Sequence, residues 1–103
     1  MIPWYHNIKP INPERVVALK QLNCMITGEL GLHARPAGLL AKEACRFLSD
    51  ITVVRGEKSA SAKKIVALMG LGLKQGDSMT LLIEGEDEGE AAQALERLAQ
   101  AHL

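Results

Sequence analysis

A histidine, an arginine and a proline stand close together in the segment Gly31-Leu32-His33-Ala34-Arg35-Pro36-Ala37. Proline has no backbone N–H, and it is tolerated in the first turn of a helix because that group has no intrahelical partner there. The segment therefore predicts that a helix opens at this point. The free N–H groups of its first turn, together with the positive end of the helix dipole, form a binding site for an anion.

His33 and Arg35 add two side chains with suitable chemistry to this anion site. The planar guanidinium of Arg35 can form paired hydrogen bonds with phosphate oxygens. An ordinary imidazole titrates at about pH 6.5, so a neutral, nucleophilic imidazole is available in a cell. The sequence therefore predicts that His33 accepts a phosphoryl group and gives it up again. The other histidines, His6 and His102, are expected to be ordinary surface residues.

Length and composition restrict the possible functions. The chain has 103 residues, of which twelve are basic and twelve acidic. This length predicts one domain with a single modest core, and the balanced charge predicts no binding of nucleic acid or of an anionic membrane. No segment is long and apolar enough for membrane insertion, and the first thirty residues lack the apolar run of a signal peptide. We therefore expect a cytoplasmic, monomeric protein.

The sequence offers no set of metal ligands. Cys24 and Cys45 are far apart, with no CxxC pair and no histidine at zinc-ligand spacing, so both are expected to be reduced, partly buried packing residues. The acidic run 84–90 lacks the alternating ligands of a calcium loop. We expect neither a metal nor a cofactor.

Residues 1–18 differ from the rest of the chain. Pro3, Pro10 and Pro13 interrupt them, and neither helical nor strand periodicity is sustained. The segment is expected to be an N-terminal extension that is flexible or lies upstream of the true start codon, with docking through Trp4 as an alternative. Residues 19–103 are expected to form the domain.

Apolar periodicity predicts seven elements in the domain. In chain order they are a strand from Lys20 to Ile26, a helix from about Ala34 to Phe47, strands at Ile51–Val54 and Lys58–Ser61, a short helix from Ala62 to Met69, a strand around Met79–Ile83, and a helix from near Asp87 to about Ala101. The order β-α-β-β-α-β-α predicts an α+β fold with one sheet covered on a single face.

Several side chains carry more detailed expectations. In the first helix, the residues expected to face the core are Ala37, Leu40, Ala41, Ala44, Phe47 and Leu48. Glycine within a helix costs about 1 kcal/mol relative to alanine, so Gly38 is expected to have a close neighbour. Asp87 and Glu90 fit a capping box, and Ser61 is expected to cap the short helix.

The segment around His33 resembles the active centre of the histidine-containing phosphocarrier protein (HPr) family of the bacterial phosphotransferase system. The resemblance extends over about residues 20–103, with further matching runs at 51–53, 58–63, 71–73 and 84–88. It implies an open-faced β-sandwich, in which three helices cover one face of a four-stranded antiparallel sheet. It also implies that His33 receives a phosphoryl group on Nδ1 from phosphorylated enzyme I and passes it to a histidine of a sugar-specific IIA component.

The same resemblance implies roles for the neighbours of His33. Arg35 matches the arginine beside the phosphate, and the backbone of Ala34 and Arg35 matches the amide cradle, with Pro36 at the helix start. A dedicated kinase phosphorylates a serine at the start of the short helix in many Gram-positive members. Lys64 occupies that place here, so we expect no serine switch.

A docking surface for partner proteins is also implied. Ile65, Val66 and Met69 match the apolar docking patch of the family, although the residue pattern alone fits core positions equally well. Positive side chains are expected around the site, where they would steer acidic partners or serve only as solvated charges. These are Lys42, Arg46 and Lys63.

Three functions remain open from the sequence. The first is a phosphoryl relay between enzyme I and a IIA component in sugar transport, which is not an independent catalyst. The second is a nitrogen-type or regulatory relative that signals phosphoenolpyruvate status without sugar transport. The third is an anion-binding module that forms no covalent adduct.

Overall fold

The computed structural model describes residues 20–103, and the predicted extension 1–18 lies outside this range. The elements are β1 (Lys20–Met25), α1 (Ala34–Ala44), β2 (Asp50–Arg55), β3 (Lys58–Ser61), α2 (Ile65–Met69), β4 (Ser78–Glu84) and α3 (Glu88–His102). The strands form one sheet in the order β1-β4-β2-β3, and every neighbouring pair is antiparallel. The predicted open-faced α+β architecture is therefore confirmed.

The central strand β4 carries the middle of the core. Leu81 pairs with Leu22 on one side and with Val53 on the other, so the three side chains form an apolar row across the sheet. Met79 and Ile83, two residues away on the same strand, are also fully buried because alternate residues face the same side. This row lies against the helices.

The inner face of α1 lies in the core, where the helix packs against α2 and α3. Ala37, Leu40, Ala41 and Ala44 are buried, as the helical spacing predicts.

Among residues 20–103, none of the helices has the length and apolar character needed to cross a membrane.

The first helix ends earlier than predicted. It stops at Ala44, and Phe47 is only half-buried beyond it. The prediction that Leu48 faces the core is wrong, because its side chain is 81% exposed. The reason is a long-range contact: the Leu48 amide donates to Oδ2 of Asp87 at 2.8 Å, in a turn that directs the Leu48 side chain outward.

The Asp87 carboxylate joins this turn to the start of α3. Besides the Leu48 amide, it accepts hydrogen bonds from the Ser49 amide at 2.9 Å and from the Ser49 hydroxyl. The predicted capping box is therefore wrong, since Asp87 occupies the N-cap position but makes no side-chain cap. Glu88 instead reaches back and accepts the Gly85 amide at 3.0 Å.

The start of α2 also differs from the prediction. The helix begins at Ile65 rather than Ala62, with Lys64 at the N-cap position. The Ser61 hydroxyl accepts a hydrogen bond from the Lys63 amide at 3.2 Å. It therefore stabilises the turn before α2 and does not cap the helix.

The two cysteines are free thiols in different environments. Cys24 is half-buried on β1, and burial, with the nearby Glu96 carboxylate, raises the pKa of its thiol. Cys45 is exposed after α1, so the expectation of partial burial is wrong for this residue.

Two glycines show opposite packing. A Cβ at Gly38 would meet nothing within 4 Å, so the expected close neighbour is absent. A Cβ at Gly31, where φ is +70°, would lie 2.3 Å from the carbonyl oxygen of Leu73. Only the second position needs glycine, for its conformation and for its space.

Alanine substitutions at these glycines should change stability in opposite directions. Gly31→Ala should lower the free energy of unfolding by about 2 kcal/mol or more, because a methyl group would clash with backbone at a strained φ. Gly38→Ala, the matched control, should raise it by about 0.5–1 kcal/mol, since alanine favours a helix interior. Urea unfolding measures both values, and equal effects would contradict the packing described.

The Asp87 contacts predict a pH dependence of stability. Hydrogen bonds from the Ser49 hydroxyl and the Leu48 amide hold the pKa of Asp87 below its ordinary value. The ionised carboxylate therefore stabilises the fold above the unfolded-state pKa of about 3.9, and this stabilisation is lost as the pH falls through the folded-state pKa. Asp87→Asn should lower the free energy of unfolding at neutral pH, and the difference from wild type should shrink below about pH 4. Urea unfolding across this pH range tests it, and a constant difference would refute the carboxylate's role.

Candidate functional site

The chain before His33 is held against the segment that precedes β4. The Gly31 amide donates to the carbonyl of Gly28 at 3.0 Å, which closes a turn. The next residue, Leu32, is buried and donates its amide to the carbonyl of Leu73 at 3.0 Å. These contacts place His33 at a defined point directly before the start of α1.

His33 is the N-cap residue of α1, directly before the helix start that is predicted at about Ala34, with an extended backbone at φ −94° and ψ −169°. Its carbonyl accepts the first intrahelical bond, from the Ala37 amide at 2.9 Å. The amides of Ala34 and Arg35 precede that bond and have no acceptor within the helix, and Pro36 has no N–H to satisfy. Two free donors therefore lie directly after the imidazole in the chain.

A cavity of about 380 Å³ adjoins this helix start. Its walls are the turn 28–33 with Ile26, the side chains of Arg35 and Pro36, and the last two residues, His102 and Leu103. The His33 side chain is half-buried and Arg35 is exposed, so a reagent can reach the imidazole from solvent.

The start of α1 contributes positive charge to the cavity. The first turn of α1 contains no acidic residue, so its positive dipole end is not neutralised within the helix. Arg35 adds a guanidinium, and Glu29 is the acidic residue that lines the cavity. Within the described range 20–103, no group of three or more histidine, cysteine or acidic residues is placed to hold a metal ion. The arrangement fits a phosphate group held by backbone amides and one guanidinium.

The three apolar residues expected on α2 are all exposed. Val66 is 85% exposed, while Ile65 and Met69 are 44% and 43% exposed. Leu68, on the opposite side of this short helix, is fully buried. The core alternative for the three residues is therefore wrong, and α2 presents an apolar patch to solvent, which we call the α2 patch (Ile65, Val66, Met69).

The positive residues expected around the site do not line the cavity. Arg46 forms an ion pair with Glu43 at 2.8 Å and lies over the ring of Phe47 at 5.6 Å. Lys63 donates to the Phe47 carbonyl at 2.8 Å, and Lys42 is exposed in the last turn of α1. All three lie near the C-terminal end of α1. His33 stands at the other end of this 11-residue helix, which rises about 16 Å. A docking role for them stays a prediction.

Lys64 is exposed at the N-cap of α2, the place of the regulatory serine in the resemblance. A lysine side chain cannot form a phosphate ester. The absence of a serine switch stays a prediction, because the nearby Ser59 and Ser61 carry hydroxyls.

Sequence reasoning missed His102. It was expected to be an ordinary surface residue, and it is exposed, yet it lines the same cavity as His33. The helical pattern of α3 indicates which residues face the sheet, but it does not indicate which loop meets the C-terminal end of the helix. No local signal could have placed the two histidines on one cavity.

Comparisons with known proteins find similarity over most of the described residues. A family model described as "PTS HPr component phosphorylation site" matches residues 20–101. The phosphocarrier protein HPr of Lysinibacillus sphaericus is 46% identical over 80 residues, covering 78% of this chain and 91% of that protein. A crystal structure of HPr from Thermoanaerobacter tengcongensis superposes with a TM-score of 0.76 at 41% identity, covering 80% of this chain and 92% of the other.

A structure of Crh, a catabolite repression protein of Bacillus subtilis described as a domain-swapped dimer, is also similar. Its TM-score is 0.65 at 40% identity, and the match covers 76% of this chain and 90% of that one.

Proposed function

The chain belongs to the HPr family of the phosphotransferase system, and from this premise we propose that it relays a phosphoryl group on His33 from phosphorylated enzyme I to a IIA component. The observation that supports the relay most strongly is the position of His33 at the N-cap of α1, next to the amides of Ala34 and Arg35. In this role the chain is a stoichiometric cytoplasmic carrier rather than an independent catalyst.

Each transfer is a displacement at phosphorus. The lone pair on Nδ1 of His33 attacks the phosphorus atom while the bond to enzyme I breaks, and the bonding electron pair stays with enzyme I. In the second transfer, the N–P bond on His33 breaks as the IIA histidine attacks, and the electron pair returns to the His33 ring. The phosphoryl oxygens carry most of the charge in such a loose transition state. In this proposal the Ala34 and Arg35 amides and the Arg35 guanidinium stabilise that charge.

The half-buried imidazole suits a carrier because two different proteins must reach it. A phosphohistidine keeps a high transfer potential only if its site does not bind the group so tightly that release becomes unfavourable. An open cavity with two amides and one exposed guanidinium gives moderate stabilisation, which supports reversible transfer.

The α2 patch supports a shared docking surface for the two partners. Three exposed apolar side chains on one short helix would be unfavourable in water unless a partner covers them at some stage. Lys42, Arg46 and Lys63 lie on the neighbouring part of the molecule and would steer acidic partner surfaces toward the patch.

A regulatory function is the second candidate, and the similarity to Crh supports it. In that case the same histidine would report phosphoenolpyruvate status to a regulator without feeding sugar uptake. The identity of the IIA component that accepts the phosphate separates the two functions. A monomer is proposed for both, and sedimentation would reveal a dimer of the kind described for Crh.

Labelling with phosphoenolpyruvate and enzyme I tests the relay directly. The wild-type chain should take up one phosphate that is stable to alkali and lost in acid, as expected for phosphohistidine. His33→Ala should take up none, and Arg35→Ala should be labelled about ten- to a hundredfold more slowly, because charge-assisted hydrogen bonds contribute about 1.5–3 kcal/mol.

The control variant is Gln93→Ala, an exposed substitution on α3, which should label like wild type. Label on His33→Ala would show that another residue is the acceptor. A label that survives acid would indicate a serine ester. Labelled wild type incubated with a panel of sugar-specific and regulatory IIA proteins then identifies the branch.

An acidic substitution in the α2 patch should weaken docking without disturbing the anion site. Val66→Glu should raise the KM for labelling by enzyme I by about tenfold or more, since an interface residue of this kind contributes about 1–2 kcal/mol. Folding should be nearly unchanged because Val66 is 85% exposed. The matched control is Met25→Glu, an exposed apolar residue on β1. Equal KM values for the two variants would argue against docking on α2.

A further inference from the structure

The C-terminal end of α3 reaches the cavity of His33. His102 is the last residue of α3 and the basic residue of its last turn, and it lines the cavity together with His33 and Arg35. It lies one residue beyond the part of the chain that the family model matches, which ends at 101.

Main-chain contacts hold His102 in place. The carbonyl oxygen of Leu103 accepts the Thr27 amide at 2.6 Å and the Thr27 hydroxyl at 2.9 Å. The Leu103 side chain is buried, and its amide donates to the Ala99 carbonyl at 3.1 Å. The residue after His102 is thus fixed to the strand end that leads into the turn 28–33, so the imidazole is positioned beside the cavity and is not on a free tail.

The electrostatics of the cavity leave a role for a cation at this point. The positive end of α1 and the negative end of α3 both face the site, and the negative end disfavours a phosphoryl group. At this end of α3, the Leu103 carbonyl oxygen already accepts a hydrogen bond from Thr27. A protonated His102 would neutralise the end of α3, since a cationic side chain is favourable there. Glu29, His33 and Arg35 are the other titratable or charged side chains that line the cavity.

We propose that His102, as an imidazolium, contacts the phosphoryl group carried on His33 and prolongs its lifetime. The inference rests on the proposed function in one respect only, namely that His33 can hold a phosphoryl group. It adds a second positive side chain to the site and makes the stability of the phosphorylated carrier depend on pH.

The chemistry of hydrolysis explains the expected direction. Water attacks phosphorus, the N–P bond breaks, and the electron pair returns to the ring of His33, which takes up a proton as inorganic phosphate leaves. An imidazolium beside the phosphoryl group stabilises the negative charge on its oxygens. A nearby cation also disfavours protonation of the phosphorylated ring, which is the step that prepares it to leave.

The test uses phosphoramidate, which needs no protein partner. Its P–N bond breaks, the phosphoryl group moves to a ring nitrogen, and ammonia leaves. The full-length chain and its variants His102→Gln and His102→Arg are labelled, and the decay of the phosphate on the peptide that contains His33 is followed by mass spectrometry. Decay is measured at about pH 6, below the ordinary histidine pKa of about 6.5, and at about pH 9, well above it.

At the lower pH, His102→Gln should lose its phosphate about two- to fivefold faster than wild type, the effect of one partly solvated charge pair. At the higher pH, the two should decay at the same rate, since an ordinary imidazole is neutral there. His102→Arg should be as long-lived as wild type at the lower pH and longer-lived at the higher pH. If His102 only stabilised the fold, His102→Arg would not restore the wild-type lifetime of the phosphate. This pattern therefore distinguishes an effect of charge from a structural one.

Two failures are distinguishable. If His33 is phosphorylated and His102→Gln decays at the wild-type rate at the lower pH, the inference is wrong and the relay function stands. If phosphoramidate leaves His33 unmodified and enzyme I also gives no label, the relay function is contradicted, and the inference with it.

Discussion

The close approach of Gly31 to Leu73 determines where the first helix begins and therefore where the chemistry takes place. There is no room for a side chain at Gly31, and the following amide is bonded to the same Leu73 carbonyl at 3.0 Å. Because the chain is held at this point, His33 becomes the N-cap residue and the amides of Ala34 and Arg35 follow it directly. A short stretch of backbone thus converts a helix start, which is by itself a common feature, into an oriented anion site.

Those parts of the structure that depend on neighbouring residues could be predicted from the sequence. Pro36 and the spacing of the apolar residues after it predict the start of α1, because proline acts on its own turn. The alternation in β4 predicts which residues face the helices, since the side-chain period of a strand is two. The order of elements then restricts the architecture to a sheet covered on one face. These local signals predict that His33 stands directly before α1, and the contact with Leu73 then fixes where in the fold that helix begins.

Features that depend on distant segments could not be predicted in the same way. Asp87 and Glu90 have the spacing of a capping box. The Asp87 carboxylate nevertheless accepts hydrogen bonds from amides that lie 38 and 39 residues earlier in the chain. The same contact explains why Leu48 faces solvent despite its helical spacing. Gly31 and Gly38 are the same residue type, and their packing differs because the backbone of Leu73 lies against Gly31 only. His102 joins the site of His33 for a similar reason, because Thr27 binds the residue that follows it.

The central claim is that the first-turn amides of α1 bind the phosphoryl group carried by His33. Proton–nitrogen correlation spectra of the isotopically labelled chain, recorded before and after phosphorylation by phosphoenolpyruvate and enzyme I, measure this most directly. We expect the amide resonances of Ala34 and Arg35 to shift downfield by more than those of any strand residue, as amides do when they donate to an anion. Phosphorylated protein in which these two resonances stay in place, while the main changes occur elsewhere, would contradict the claim.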